Sequence, residues 1–182
     1  MSNHNHVCGV EHAKFLDNIV RRLIHHPRRL FGPYIKPGDT VLDIGCGPGT
    51  FITGLAHIVG AHGKVIAIDL QEEMLNLARK KAEFAGVANR VEFHQCTPES
   101  LGINIQADFI MTIYMVHEAP EPLRLVDQVG ALLKNGGYYY LSEPAFHVSK
   151  AQYREAVDRC MKNGLTLVKQ CGIVSRTAVF RK

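Results

Sequence analysis

The sequence predicts an α/β protein built on one largely parallel sheet that helices cover on both faces. Short runs of apolar residues alternate along the chain with longer segments whose apolar residues recur at helical spacing. The short runs are continuously apolar, as strands buried on both faces are. Glycine follows most of the helical segments, as expected where helices end. The 182 residues suit one domain, which we divide into a helical lid over 1–36 and a core over 37–182.

The first segment predicts a helix over 7–26, because Phe15, Ile19 and Leu23 recur at helical spacing. Pro27 is expected to end this helix, and residues 32–40 are expected to form a loop.

Strands and helices alternate from residue 40 onwards. Strands are predicted over 40–45, 64–70, 90–96, 107–116 and 138–144, and helices over 51–60, 72–86, 121–137 and 150–164. The last segment, 165–182, splits at Cys171 and Gly172 into two strands joined as a hairpin. The hairpin makes one edge of the sheet antiparallel.

Composition excludes several classes of protein. No apolar run is long enough to span a bilayer, and the polar N-terminus lacks the apolar core of a signal peptide. The five cysteines are odd in number and show no CxxC spacing, which favours reduced thiols. We therefore expect a cytoplasmic protein that does not bind membranes.

Two charged or polar stretches near the N-terminus could indicate other partners. The basic run over 21–29 accounts for much of the net charge of +4, and we interpret it as a solvated helix face rather than a nucleic-acid site. Metal-ligand side chains cluster at His4, His6, Cys8 and His12, but their spacing matches no zinc pattern. We predict no metal site and no nucleic-acid partner, and leave a monomer or a homodimer open.

The segment VLDIGCGPGT places three glycines at the carboxyl end of the first strand, where parallel sheets bind ligands. Gly45 can adopt a backbone conformation closed to other residues, and Gly47 has no side chain to hold a ligand away. The helix that follows directs its free N–H groups and positive dipole end at the same place. This turn is therefore suited to an extended ligand.

Two acidic residues indicate which chemical groups that ligand contains. Asp69 ends the second strand, about 20 residues after the glycines, where an acid can accept hydrogen bonds from ribose hydroxyls. A nicotinamide dinucleotide would call for G-x-G-x-x-G, whereas the run here is G-x-G-x-G followed by Thr50. Asp43 would repel a pyrophosphate, but it would suit an amino group and a sulfonium. The residues favour S-adenosylmethionine (SAM).

The chain resembles the class I SAM-dependent methyltransferases, in particular the small single-domain branch that includes quinone-biosynthesis and arsenite methyltransferases. The matching motifs run in order from Thr40 to Arg181 and are VLDIGCGPGT, VIAIDLQEEML, VEFHQCTPES, ADFIMTIYMVHEAPEP and LLKNGGYYYLSEP. The resemblance implies a Rossmann-like sheet of seven strands in the order 3-2-1-4-5-7-6, with strand 7 antiparallel. It also implies in-line methyl transfer from SAM to a small molecule, with S-adenosylhomocysteine (SAH) as product.

The resemblance also assigns cofactor-binding residues. Around the methionine part it implies Asp43, Gly45, Cys46, Gly47 and Gly49, and around the ribose and adenine Asp69, Leu70, Met74, Cys96, Thr97 and Pro98. Ile113 and Tyr114 would lie near the sulfonium. In similar methyltransferases the segment before the first strand covers the cofactor as a lid, so Phe15 and Tyr34 would either line that cover or pack in the core. Many members have Gly-Asp-Ala where this chain has Cys96-Thr97-Pro98, and in place of the acid that accepts from the adenine amino group Thr97 offers only a hydroxyl or its backbone.

Candidate catalytic residues follow the fourth strand. His117, Glu118 and Tyr114 would stand at the mouth of the cofactor cleft. A base is needed only if the acceptor arrives protonated, and His117 either serves as that base or shapes the pocket. Glu143, after the fifth strand, either binds a cationic group or caps the loop.

Two other functions remain open. An RNA or protein methyltransferase is supported only by the basic run, and the Asn/Asp-Pro-Pro-Tyr/Phe motif of nucleic-acid amino methylation is absent after the fourth strand. A module that binds SAM without catalysis is the other alternative.

Overall fold

The computed structural model describes residues 26–172 and 175–182. The predicted helix over 7–26 therefore falls almost wholly outside the described residues. Pro27 begins a helix, α1 (Pro27–Phe31), and the predicted end of the preceding helix at Pro27 stays a prediction. Proline suits the first helical position because its missing N–H has no partner there in any case.

The sheet contains seven strands, in the order β3-β2-β1-β4-β5-β7-β6. They are β1 (Thr40–Ile44), β2 (Lys64–Asp69), β3 (Val91–Gln95), β4 (Ala107–Ile113), β5 (Leu133–Pro144), β6 (Thr166–Cys171) and β7 (Ser175–Arg181). β1 to β5 pair in parallel, and β7 runs antiparallel to both β5 and β6. The predicted fold class, strand order and antiparallel strand are confirmed.

Four longer helices cover the sheet: α2 (Ile52–Val59), α3 (Glu72–Phe84), α4 (Pro122–Leu132) and α5 (Lys150–Lys162). Short 3₁₀ turns span Ala88–Arg90 and Val116–Glu118. One apolar cluster joins α4 and α5 to one face, and a second joins α1, α2 and α3 to the other. The two faces follow from strand alternation, since Leu42 and Ile44 belong to the first cluster and Val41 to the second.

Aromatic packing fixes α1 to the sheet. The Phe31 ring is fully buried and lies 5.5 Å from that of Phe51, 5.6 Å from Phe109 and 5.2 Å from Tyr140. Pro27 packs so closely on α2 that a Cβ at Gly54 would stand 2.4 Å from its ring. The described part of the predicted lid is therefore built into the core.

The largest differences from the predicted boundaries lie between α4 and β5 and at the end of β4. α4 ends at Leu132 rather than at the glycines, because the buried Leu133 already pairs with Ala107 in the sheet. β4 ends at Ile113 rather than at residue 116, because Tyr114 has a φ of 59° and leaves the strand direction. Among the described residues, no helix is long and apolar enough to cross a membrane.

Candidate active site

The glycine turn after β1 is tied to the neighbouring strand. The N–H groups of Gly45 and Cys46 both donate to the Ile68 carbonyl of β2, at 2.8 Å and 3.0 Å. Gly45 has a φ of 71°, and a Cβ there would stand 2.6 Å from the Met115 side chain. A glycine is therefore required both by the backbone conformation and by Met115, a neighbour that the sequence analysis did not predict.

The other two glycines of the turn have different surroundings. At Gly47, which has a φ of 52°, no described atom lies within 4 Å of where a Cβ would stand. At Gly49 a Cβ would stand 3.0 Å from Cα and Cβ of Ala78 in α3. Gly47 thus leaves room for a ligand, whereas Gly49 allows the turn to pack closely on α3. The predicted contact of Gly49 with the cofactor stays a prediction.

The carboxyl group of Asp43 is buried beneath this turn. Its side chain is 2% exposed, and Oδ2 has no hydrogen-bond partner among the described residues. Burial, and then the charge of Asp69, raise the pKa of Asp43 to about 7. A buried carboxylate oxygen without a donor is unfavourable, so the group is suited to a cationic donor from a ligand.

Asp69 closes the other side of the turn. Its Oδ2 accepts the N–H of Gly47 at 2.8 Å, and its Oδ1 accepts the N–H of Gln71 at 3.0 Å. Burial raises the pKa of Asp69, although hydrogen bonds from backbone N–H groups act in the opposite direction. Each carboxylate oxygen has a second lone pair, so the two bonds orient the group and leave capacity for two sugar hydroxyls.

Three of the predicted adenine and methionine neighbours, Cys46, Leu70 and Cys96, lie next to these acids. Cys96 donates its N–H to the Asp69 carbonyl at 3.0 Å, and Leu70 is partly exposed. Met74 is only 1% exposed and stands in the protein interior. Burial raises the pKa of Cys46 well above its usual value and that of Cys96 to about 11. Both thiols are therefore protonated at neutral pH and are poor nucleophiles.

Thr97 and Pro98 lie in an exposed turn after β3. The Thr97 N–H donates to the Ser100 carbonyl at 3.0 Å, and its hydroxyl accepts the Ser100 N–H at 3.2 Å. The hydroxyl also donates to the Ser100 carbonyl at 3.4 Å, so both donors of Thr97 are engaged within the turn. Its predicted role beside the adenine stays a prediction, and one lone pair of the hydroxyl remains to accept a hydrogen bond.

The mouth of the cleft is built from the residues after β4. Tyr114 is the one non-glycine residue with a positive φ among those described, and its hydroxyl shares a hydrogen bond with that of Ser175 at the start of β7. Ile113 is partly exposed beside it, and Glu118 is exposed. Backbone strain of this kind is concentrated at functional sites.

His117 forms a pair with Glu143 that the sequence analysis did not predict. The ring donates from Nδ1 to Glu143 Oε2, and Glu143 Oε1 accepts the N–H of Val116 at 3.1 Å. Burial of His117 lowers its pKa, but the hydrogen bond and charge of Glu143 and the charge of Glu118 outweigh it, so the pKa lies above its usual value. The signal in the sequence was that His117 follows β4 and Glu143 lies at the end of the neighbouring β5, at the same end of the sheet.

The remaining candidates lie elsewhere. Tyr34 packs on Tyr138, 5.3 Å between ring centroids, and Tyr138 pairs with Phe109 in the half of the sheet away from the glycine turn. Tyr34 therefore packs against the core and does not lie over the glycine turn. Phe15 and the cluster of His4, His6, Cys8 and His12 lie outside the described residues. Within 26–172 and 175–182, no three His, Cys, Asp or Glu side chains form a group that could hold a metal.

Comparison with known proteins bears on this site. A family model described as "Methyltransferase domain" matches residues 35–176. The chain belongs to this methyltransferase domain family. The predicted membership of the class I SAM-dependent methyltransferases is confirmed at the level of the family. SAM is the cofactor that this family implies.

Individual relatives agree with the family. The chain is similar to demethylmenaquinone methyltransferase of Lactococcus lactis, with 31% identity over 69% of this chain and 50% of the relative. It is also similar to a probable cobalt-precorrin-6B C(15)-methyltransferase of Saccharolobus solfataricus, with 47% identity over 31% of this chain and 29% of the relative. A SAM-dependent methyltransferase from Aquifex aeolicus superposes with a TM-score of 0.81 and 25% identity, over 93% of this chain and 96% of that one. The matches span 19% to 50% of the lengths of four curated relatives.

The residues present fit SAM. The buried Asp43 oxygen without a partner suits the ammonium group of the methionine part. The open space at Gly47 lets the ligand approach the backbone. The oriented carboxylate of Asp69 suits the two ribose hydroxyls. Bound SAM would supply a methyl group on a sulfonium, which is already an activated leaving group.

Proposed function

We propose that this protein transfers a methyl group from SAM to a small-molecule acceptor. The observation that carries the proposal is the buried carboxylate of Asp43, which has an oxygen without a partner among the described residues and lies beside a turn of three glycines with positive φ. A buried carboxylate oxygen without a donor lowers the stability of the fold unless a ligand completes its hydrogen bonds. Family membership independently supports SAM as that ligand.

The proposal assigns each neighbour a role. Asp43 holds the ammonium group, Asp69 the ribose hydroxyls, and the turn approaches the methionine part through its backbone. The adenine neighbours are Leu70, Met74, Cys96, Thr97 and Pro98, and those of the sulfonium are Ile113 and Tyr114. Holding acceptor, methyl carbon and sulfur in line can contribute up to ~7–11 kcal/mol to lowering the barrier.

A small acceptor is supported by relatives whose names give demethylmenaquinone and a cobalt precorrin as substrates. The alternative of RNA or protein as acceptor is supported by the basic run over 21–29. The structure describes residues 26–29 of this run, which include the arginines Arg28 and Arg29 of α1. A third alternative is a SAM-binding module without catalysis. The proposal also includes a helical lid within 1–36, of which the segment Pro27–Phe31 is anchored in the core, and a cytoplasmic location, the latter supported by four unpaired described cysteines.

Calorimetry with SAH tests the cofactor site. We expect wild-type protein to bind SAH and Asp69→Ala to bind about tenfold more weakly or worse, because hydrogen bonds to a charged group contribute ~1.5–3 kcal/mol each. Asp158→Ala, at an exposed aspartate of α5, is the matched control and should bind like wild type. NAD should give no signal. Unchanged SAH affinity in Asp69→Ala, or clear binding of NAD, would contradict the assignment.

Radiolabelled SAM tests the transfer itself. The protein is incubated with labelled SAM and either a small-molecule metabolite extract or total RNA with added protein. We expect label in small molecules only. Label in RNA or protein would support the first alternative, and SAH binding without any transfer would support the module that only binds.

A further inference from the structure

The side chain of Glu143 accepts more hydrogen bonds than capping a loop requires. It is 2% exposed, and it accepts the Val116 N–H with one oxygen and the His117 ring N–H with the other. The bond to Val116 alone would hold the 3₁₀ turn in place. The second oxygen therefore fixes the orientation of the His117 ring, and both partners belong to the turn that forms the mouth of the proposed site.

The contact determines which nitrogen of His117 carries the proton. Because the carboxylate of Glu143 accepts from Nδ1, the neutral ring keeps its proton on Nδ1 and its lone pair on Nε2. The His117 side chain is 22% exposed, so the ring reaches solvent at the mouth while the carboxylate behind it does not. A neutral imidazole held in this way is arranged to accept a proton.

The charges around the ring favour its protonated form once a proton arrives. Glu143 faces it from β5 and Glu118 from its own turn. The His147 ring, from the loop after β5, lies 6.2 Å away between centroids. Arg176 pairs with Glu143 in the register of β7, but its guanidinium donates to the carbonyls of Ala145 and Val148. The nearest formal charges to His117 are therefore negative.

We propose, on the basis of the methyl transfer proposed above, that Glu143 positions His117 as the general base of the reaction. The acceptor is then a neutral weak acid with a proton on the accepting atom, such as a phenol, an enol or a ring N–H. A thiolate or an amine with a free lone pair would not need this base.

The step balances as follows. The accepting atom forms a bond to the methyl carbon with the electron pair of its bond to hydrogen, and the proton passes to Nε2 of His117. The bond from methyl carbon to sulfur breaks with its pair left on sulfur, which converts the sulfonium of SAM into the neutral thioether of SAH. The imidazolium, paired with Glu143, then releases its proton to solvent.

NMR titration of the labelled imidazole tests the dyad without any acceptor. We expect His117 of wild type to carry its neutral proton on Nδ1, and Glu143→Gln to lower the pKa of His117 below the wild-type value. His62→Gln, at an exposed histidine in the turn before β2, is the control, and it should leave the titration of His117 unchanged. A neutral ring protonated on Nε2, or a pKa of His117 that Glu143→Gln leaves unchanged, would overturn the proposal.

The extract assay with labelled SAM tests the base and the acceptor class. We expect His117→Gln to lower the rate about 100-fold or more and to leave SAH affinity unchanged, while His62→Gln keeps the wild-type rate. The acidic limb of the pH–rate profile should move to lower pH in Glu143→Gln. A role that is only structural would lower the rate without moving that limb.

The chemistry of the product completes the test. Label on an oxygen or a ring nitrogen supports the proposal, whereas label on carbon, on sulfur or on an aliphatic amine overturns it, as does an unchanged rate in His117→Gln. His117→Gln alters a partly exposed ring and should fold even if Glu143→Gln does not. Failure of wild type to bind SAH would contradict the proposed function itself, and the titration would still decide the dyad.

Discussion

Asp43 illustrates how a single residue can couple folding and ligand binding. An unfolded aspartate ionises near its ordinary pKa, whereas burial holds the pKa of Asp43 in the folded protein at about 7. Between these values the folded state binds more protons than the unfolded state. The contribution of Asp43 to stability therefore falls as pH rises from about 4 to about 7, and it stays lost above that.

Asp43→Asn should separate stability from binding. At pH 8 we expect the variant without ligand to be more stable than wild type by up to about 4 kcal/mol, because it removes a buried charge. The difference should shrink as pH falls towards 5. The same variant should bind SAM much more weakly, since an amide does not attract the ammonium group. Urea unfolding at both pH values measures the first effect and calorimetry the second.

Two controls sharpen the Asp43 experiment. Asp39→Asn, at a partly exposed residue before β1, should not increase stability at pH 8. In wild type, SAM affinity should rise between pH 6 and pH 8 as Asp43 ionises. A variant Asp43→Asn that is less stable at pH 8 and binds SAM normally would contradict the role assigned to this carboxylate.

At the same scale, the chemistry of the site could be predicted but its hydrogen bonds could not. Asp43 and Asp69 were identified because strand ends place acids at a known edge of a parallel sheet. The pairing of His117 with Glu143 depends on where β4 leaves the sheet, and that is set by the positive φ of Tyr114. No local pattern in the sequence indicates a positive φ at a tyrosine.

At the scale of elements, the glycine turn combines a ligand surface with a packing contact. Gly47 faces open space, whereas Gly49 lies against α3 at Ala78. The sequence analysis placed both glycines beside the cofactor, because the spacing of the glycines does not show where a Cβ at each position would point. Similarly, α1 was missed because its five residues are too short for a helical period, although Phe31 makes it part of the core.

Gly49→Ala tests the packing role. Gly49 has a φ of 78°, and an added Cβ would stand 3.0 Å from the Cα of Ala78, which cannot move without shifting α3. The left-handed conformation alone costs about 1–2 kcal/mol, and we expect a total loss of roughly 2–4 kcal/mol in the free energy of unfolding.

Gly86→Ala is the matched control for this substitution. Gly86 has a φ of 66°, and no described atom lies within 4 Å of where its Cβ would stand. The free energy of unfolding of Gly86→Ala should therefore fall only by the cost of the left-handed conformation. Thermal and urea unfolding of both variants give the comparison. Equal losses in the two variants would show that Gly49 has no special packing role.

At the scale of the whole molecule, alternation of strands and helices predicts a parallel sheet but not its complete order. The terminal hairpin could pair with the sheet through either of its strands. Only the resemblance implied that β7 lies between β5 and β6, and the register of Tyr138 to Pro144 against Ser175 to Arg181 confirms it. The two faces of the sheet followed from strand alternation alone, since no long-range information is needed to separate them.

The crystal structure of the protein in complex with SAH tests the central claim most directly. We predict the nucleoside across the turn after β1, with both ribose hydroxyls on the carboxylate of Asp69 and the ammonium group on the Asp43 oxygen that is without a partner. A nucleoside bound elsewhere, or sugar hydroxyls that do not contact Asp69, would contradict the account.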